Sequence, residues 1–357
     1  MDLQLEQVGP ERLDDVVEFL RKTFRAPLDA PFLQTDQVRW RFFETRPDWD
    51  GSRSYVFRVQ GAIVAHACVV PTTFLTPAGT TFRSIFPIDW AASPSVPGAG
   101  ILLLKEITSL ADVRIGYGGT PVTKEITSKM HTGRKHAYER VIGDVMRAKR
   151  MLPRWSASRD RPTPRWRTIA RVGREAWRNS QRRLSLGSDW AARPVERFDA
   201  RLPNQGPGNP TGLSIPLRTP ELLNYMLTCP GAGFSGFLLE KNHALRGHLL
   251  LTNLGEETRV ADLVIDSDSS GDWAACYSLA ASTAKQRYPR CNHLTAMAAP
   301  EFLQTALLRA GFIGGSSLPV MVHERIPVLS PQCSPVLCMM NSDAAYLIHA
   351  TSAVAQR

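Results

Sequence analysis

The sequence has no apolar run approaching the ~20 residues that a membrane-spanning helix needs, which argues against a helical membrane protein. Cysteine is sparse: Cys68, Cys229, Cys276, Cys291, Cys333 and Cys338 are scattered through 357 residues. Cys333 and Cys338 lie close together, but no second Cys or His pair completes a zinc set. A reducing cytoplasm is the expected compartment. The N-terminus, Met1-Asp2-Leu3-Gln4-Leu5-Glu6, lacks the apolar core of a signal peptide. Acidic residues are scarce in one place above all. Between Arg147 and Arg183 thirteen basic residues are opposed only by Asp160 and Glu175, so this segment carries +11 while the whole chain carries +10. The high pI is therefore local, and any polyanion argument concerns that segment alone.

What is present suffices for real cores: 43% of residues are hydrophobic, and the length suggests about two domains. One stretch, Ile85 to Lys135, organises the rest. The apolar run Ile85–Ala92 leads into a small-residue loop, Ser93-Pro94-Ser95-Val96-Pro97-Gly98-Ala99-Gly100. An apolar helical pattern follows at Ile101, Leu102, Leu103, Leu104 and Ile107. Val113–Gly118 reads as a second strand, and Pro121 opens another helix to Met130. The order is strand, glycine loop, helix, strand, helix.

Before it, Leu3–Val8 alternates as a short strand, Pro10–Phe24 is an amphipathic helix, and Val38–Phe43 suggests a second short helix. Tyr55–Val59 and Ala62–Val70 flank Gln60-Gly61 as a hairpin. Tyr138–Met146 is strand-like. The Arg-rich segment is broken by Pro153, Pro162 and Pro164, then offers a helix over Trp166–Leu184; residues 186–212, rich in Pro and Gly, read as a linker. A second block repeats the order of elements. It has a helix from Thr219-Pro220-Glu221 to Met226, a hairpin around Asn242-His243, and a strand over Arg259–Ile265. A polar loop, a helix over Trp273–Arg287 and a strand over His293–Ala298 follow. A helix from Pro300 ends at Gly311-Phe312. Leu318–Val322 and Val336–Met340 are late strands. His243 and His248, with no third ligand, read as surface or core residues, and Trp273 as core.

These residues resemble the GNAT superfamily of acyl-coenzyme A N-acyltransferases. That family's loop has the pattern Q/R-x-x-G-x-G/A; Ser95-Val96-Pro97-Gly98-Ala99-Gly100 matches both glycines and departs at Ser95. Glu301–Phe312 resembles the closing helix and Gly-Phe, and Val122–Gly133 takes that place in the first block, with Arg134 where Phe is usual. The resemblance covers residues 1–146 and 213–325. It implies an α/β (α+β) fold of two GNAT-like mixed sheets flanked by helices and joined by a basic insert. The first domain spans 1–146, the insert and linker 147–212, and the second domain 213–357.

Glycines in a loop that enters a helix let backbone N–H groups and the helix dipole cradle a pyrophosphate. The alternative is an ordinary tight turn. The equivalent second-block loop, Asp266-Ser267-Asp268-Ser269-Ser270-Gly271-Asp272, carries three carboxylates that would repel a diphosphate, so acyl-CoA is expected in the first block alone. The resemblance implies cofactor contacts at Ile88 and Trp90 on the splayed strand, at Ser95, Val96, Pro97, Gly98, Ala99 and Gly100 in the loop, and at Thr120. The family's usual Tyr acid, four residues before the Gly of Gly-Phe, is replaced by Lys129 and Leu307. Nearby candidates for acid–base work are Asp89, His131, Tyr117 and Tyr138. Asp89 is either a site carboxylate or a structural ion-pair partner, and His131 either catalytic or a capping residue.

The expected activity is transfer of an acyl group from acetyl-CoA or another acyl-CoA to the amine of a small molecule or peptide, without a metal. Two further readings stand beside it. One is an aminoacyl-tRNA-dependent peptidyltransferase-like enzyme whose Arg-rich insert grips RNA. The other is a non-catalytic module docked to a polyanion, or peripherally to the inner membrane surface, through the arginines and Trp155, Trp166 and Trp177.

Overall fold

The computed structural model describes residues 3–118, 139–152, 189–202, 212–329 and 334–347. The N-terminal alternation forms β1 (Glu6–Gln7), which pairs with β2 (Ser54–Val59). Between them a 3₁₀ turn at Pro10–Arg12 opens α1 (Leu13–Phe24), and α2 (Thr35–Val38) runs on as a wide π turn over Arg39–Phe43. Gln60 and Gly61 take φ of 50° and 81°, the mirror-image turn whose twist suits a two-residue hairpin. The chain then returns as β3 (Ala62–Leu75), β4 (Thr81–Ala92), α3 (Ala99–Thr108) and β5 (Val113–Gly116). Along β3, Ala65, Ala67 and Val69 pack with Leu103, Leu104 and Ile107 of α3. Cys68, Val70 and Phe74 join the core that holds Val16 and Leu20 of α1, as a side-chain period of two requires.

β6 (Glu139–Met151) closes the first half, and β7 (Trp190–Val195) and β8 (Leu213–Pro216) lead into the second. Next come α4 (Pro220–Leu227) and the hairpin of β9 (Gly233–Lys241) and β10 (Ala244–Leu254), turned at Asn242 and His243, again both with positive φ. β11 (Glu257–Ile265), α5 (Ser270–Arg287), β12 (His293–Ala298), α6 (Glu301–Arg309), β13 (Ile313–Glu324) and β14 (Ser334–Pro335) complete it. The mixed sheets of the two halves merge into one 14-stranded sheet ordered β1-β2-β3-β4-β5-β13-β6-β12-β11-β10-β9-β7, with β8 joined to β3 and β14. β13, from the end of the chain, lies between β5 and β6, while β6 lies between β13 and β12. Each half lends the other a strand.

Three elements differ from the sequence-based expectation. The strand expected to end at Met146 runs to Met151, so Arg147, Lys149 and Arg150 belong to the sheet. Arg147 reaches Glu257 at 3.3 Å and Arg150 donates to the Ala310 carbonyl at 2.7 Å; long side chains beside a sheet can carry charge without leaving it. The expected 186–212 linker contains β7, paired throughout with β9. Its Pro194 is tolerated because β7 is an edge strand, where a missing N–H costs nothing on the open side. Val336–Met340 is not a strand but an isolated bridge at Leu337 followed by a 3₁₀ turn over Met339–Asn341. The helices expected over Val122–Gly133 and Trp166–Leu184, and most of the Arg-rich segment, lie outside the described residues, as does Cys333. Among the described residues no helix is long and apolar enough to cross a membrane, and no cluster of metal ligands occurs.

The segment from β14 to Leu347 threads the seam between the halves and is held by buried polar groups. Asp262 on β11 takes Arg218 Nε at 3.0 Å, His248 Nε2 at 2.8 Å and Cys338 Sγ at 2.9 Å. Arg218 and Asp262 side chains are wholly buried. Thr252 donates to the Ala345 carbonyl at 2.7 Å, and Arg259 Nη1 donates to the carbonyls of Ala344 and Leu347 at 2.8 Å each. Burial alone would push the Asp262 carboxyl up, but Arg218 and His248 hold it well below the usual carboxylate range. Removing one partner of such a buried pair leaves an uncompensated charge. Arg218→Met is therefore expected to lower the unfolding free energy by about 3 kcal/mol or more, while Arg218→Met with Asp262→Leu recovers much of the loss. Urea midpoints at an unchanged slope provide the check.

Candidate functional site

β4 and β5 run parallel but pair only at Ser84–Val113 and Ile85–Arg114. Two residues on, Pro87 brings no N–H to continue the ladder. On the other side of β4 the register with β3 shifts between His66–Ala91 and Cys68–Ile88. Asp89 and Trp90 together thus face one residue of β3, a β-bulge, which bends a strand and re-aims its backbone. Asp89 sits at φ 49°, a left-handed conformation that costs a non-glycine residue on the order of 1 kcal/mol and needs support from its surroundings.

That support is visible. Arg41 Nη1 meets Asp89 Oδ2 at 2.6 Å, with the Arg41 side chain wholly buried. Arg41 also bonds the Phe32 carbonyl. His66 Nδ1 lies 3.0 Å from the Asp89 carbonyl, and its Nε2 lies 3.0 Å from Ser54 Oγ. The carbonyl only accepts, so Nδ1 carries the proton and Nε2 accepts from the serine. A neutral imidazole suits this site: burial pushes the His66 pKa down to about 4, Asp89 opposing and Arg41 assisting. Arg53 secures the turn that carries Arg41 by donating to the carbonyls of Trp40, Arg41 and Glu44.

Where the strands part, a cleft of about 390 Å³ opens, within the usual range of small-molecule sites. Its walls are largely apolar, with Phe86, Ile88, Leu104, Val145, Met297 and Leu318 among them. They come from β4, α3, β6, β12 and β13, so both halves build it. Tyr117, just past β5, packs against Phe86 with ring centroids 4.6 Å apart and planes tilted by 51°, and donates to Ser342 Oγ at 3.0 Å. Burial pushes its phenol well above the usual tyrosine range, so it keeps its proton at neutral pH. Ser342, Asp343 and Ala344 of the seam segment also line the cleft.

At the end of β4, Ser95, Val96, Pro97 and Gly98 form the turn into α3. Gly98 takes φ 86° with open space where a Cβ would project, and α3 starts without a side-chain cap. First-turn helix amides without a cap are free to meet an anion. Ala99 N–H is already bonded to the Val96 carbonyl at 3.2 Å. Gly100 packs closely against β4. A Cβ there would lie 2.9 Å from Ala92 Cβ, and Trp90 Nε1 donates to the Gly100 carbonyl at 2.8 Å. Gly100 is a close-packing residue between α3 and β4, and Trp90 braces the loop.

The structure thus brings Ile88, Asp89, Trp90 and Tyr117 together at one cleft, while Ser95–Gly98 lie in the loop that follows β4. His131, Tyr138 and Thr120 lie outside the described residues. Asp89, expected as either a site carboxylate or an ion-pair partner, is bound to Arg41. Arg41, His66, Ser342 and Asp343 were missed. Arg41 within Trp40-Arg41-Phe42-Phe43 and His66 within an apolar strand carried a signal, since a buried polar side chain demands a partner. In the second half the corresponding helix start is occupied. Asp272 takes Lys241 Nζ at 2.8 Å, Ser267 Oγ at 2.6 Å and Trp190 Nε1 at 3.2 Å, and Ser269 caps α5.

Searches with the sequence return no matching family model and no matching curated protein. Solved structures do match. A GCN5-related N-acetyltransferase from Anabaena variabilis superposes with a TM-score of 0.54 at 12% identity, over 90% of this chain and 72% of that one. A tandem GNAT protein from the clavulanic acid biosynthesis pathway gives 0.50 at 11% identity, over 91% and 99%. Saccharomyces cerevisiae N-myristoyltransferase with bound myristoyl-CoA gives 0.50 at 12%, over 90% and 82%. The chain has the fold of the GNAT superfamily. Its length matches the tandem form, in which two such halves are joined.

The His66 shift has a consequence for stability. A base whose folded pKa lies below its ordinary value stabilises the fold above that ordinary value, and the contribution is lost as pH falls toward the folded one. Between 6.5 and about 4, His66 should cost the fold up to about 3 kcal/mol. Asp343 titrates in the opposite sense, so the comparison is with His66→Gln. Its stability should fall less steeply than the wild type's over this window in chemical unfolding at several pH values.

Proposed function

We propose that this protein is an N-acyltransferase that moves an acyl group from an acyl-CoA thioester to an amine of a small molecule or peptide. The observation that carries the reading is the parting of β4 from β5 beside the Asp89–Trp90 bulge, which opens an apolar cleft with Leu104 of α3 in its wall. The named structural neighbours are acetyl- and acyltransferases, and this reading extends their chemistry to the present chain.

The residues fit acyl-CoA. The apolar walls suit a pantetheine arm. The exposed turn at Ser95–Gly98 and the uncapped first turn of α3 suit a pyrophosphate, even though the family's Gln or Arg is replaced by Ser95. Backbone at Ile88–Trp90, re-aimed by the bulge, supplies polarisation to a thioester carbonyl, a role that backbone donors fill well because they are fixed in advance. Tyr117, which holds its proton, delivers it to the departing sulfur. Asp89 anchors the bulge through Arg41 rather than moving protons. The second half takes no CoA: Asp272 places a carboxylate at the helix start where a diphosphate would lie. The RNA-dependent and non-catalytic readings gain less support, because Arg147 and Arg150, at the head of the basic segment, are bonded inside the fold.

Millimolar CoA should raise the melting temperature of the wild-type protein, and a hundredfold excess over Kd is worth about 2.7 kcal/mol. No shift at any attainable concentration sinks the reading. Ser95→Asp, at an exposed position of the turn without positive φ, should weaken CoA at least tenfold and leave pantetheine binding unchanged in calorimetry, because only the former brings a diphosphate. Tyr117→Phe should lower kcat by about 100-fold with little change in CoA affinity.

A further inference from the structure

We propose that Asp343, on the seam segment far from the sequence motifs of the first half, takes the proton from the acceptor's ammonium group. This rests on the acyl-transfer reading above and adds the general base it lacks.

Two carboxylates line the cleft, Asp89 and Asp343. Asp89 is paired with Arg41. The arginines at the walls are engaged too: Arg147 bonds Glu257, and Arg114 has its own partner. Among the described residues no other side chain bonds the Asp343 carboxyl. It is half-buried, at the first position of a 3₁₀ turn over Asp343–Ala345, and adjoins Ser342, which accepts from Tyr117. A carboxylate without a cation, in an apolar cleft, is matched by a cationic amine.

The groups around it set its titration. Burial is the largest influence and pushes its pKa up; the Asp89 carboxylate adds to the rise, and Arg41 and Arg259 oppose it, leaving it at about 6. Tyr117 and Tyr346 also face it, both holding their protons. Asp343 is thus a carboxylate at neutral pH yet basic enough to share a proton, the compromise a general base requires. Its position is fixed from outside. Arg259 grips the carbonyls of Ala344 and Leu347, Thr252 that of Ala345, and Trp40 meets Tyr346 edge-on at 5.1 Å.

The protons balance. The ammonium gives one proton to Asp343, and the freed nitrogen lone pair attacks the thioester carbonyl. The new C–N bond forms as the C–S bond breaks, and sulfur receives the Tyr117 proton. The nitrogen's second proton restores Tyr117, with the Ser342 hydroxyl at hand as relay. Asp343 releases its proton to water.

Two measurements test this. Infrared titration of the full-length protein should show a carboxyl group with a midpoint near pH 6 that is absent from Asp343→Asn; no such group, or one that survives the substitution, overturns the inference. Thiol release from acetyl-CoA is then followed at neutral pH with hexylamine, which is cationic, and with hydroxylamine, which is neutral and needs no base. Asp343→Asn should lose transfer to hexylamine by about 100-fold or more and keep transfer to hydroxylamine within twofold. Asp343→Glu should restore part of the hexylamine rate, with its pH dependence shifted. Equal losses with both nucleophiles, or none, overturn the base role while leaving acyl transfer standing. A wild-type protein that releases thiol with neither, although it binds CoA, removes the acyl-transfer reading and this inference together.

Discussion

Backbone pairing along β13 is the constraint on which the rest depends. A strand edge left bare inside a protein strands its N–H and C=O groups, and each costs more than a made hydrogen bond gains. β5 meets that demand with β13, and β12 meets it with β6, so neither half's sheet is complete without a strand from the other. The cleft lies on this junction. β13 closes against β5 only from Met321 to Glu324, which leaves the upper ends of β4 and β5 apart. A bulge at Gly315–Ser316 lets β13 pass Arg147 of β6, where a Cβ on Gly315 would lie 2.9 Å from the Arg147 carbonyl.

Two buried ionic clusters serve this junction. Arg41, Asp89 and His66 hold the bulge; Arg218, Asp262, His248 and Cys338 hold the seam segment. Buried ion pairs contribute little net stability, since desolvation offsets most of the attraction. Their worth here is geometric. The first cluster keeps a non-glycine residue in a left-handed conformation at the cleft, and the second delivers Ser342 and Asp343 to the same cleft. The cleft is therefore braced from both sides, by Arg41 and His66 behind the bulge and by Arg218, Asp262 and His248 behind the seam segment, a common arrangement around sites that must hold their shape.

Much of this was legible beforehand, unevenly. The hairpins at Gln60-Gly61 and Asn242-His243, the amphipathic α1, and the strand–loop–helix at Ile85–Thr108 follow from short-range rules of turn chemistry and periodicity. That Gly98 faces open space while Gly100 faces Ala92 was not legible, because nothing local distinguishes the two glycines. β7 was hidden by Pro194, which reads as loop unless the strand is known to lie at an edge. β6 was cut short because lysine and arginine at its end look like solvent-exposed insert.

The sequence alone therefore settled the repeated order of elements, the GNAT resemblance and the glycine-bearing loop, all of which are written in neighbouring residues. Tertiary structure decided the exchange of β6 and β13, the partnership of Arg41 with Asp89, and the arrival of Asp343 beside Tyr117. The reason is physical. A turn or a helix face is selected by dihedral preference and side-chain period within a few residues. An ion pair or a shared cleft is selected by exclusion of water between segments such as Tyr117 and Ser342, 225 positions apart. No periodic pattern records which distant groups will be left facing one another once the sheet has closed.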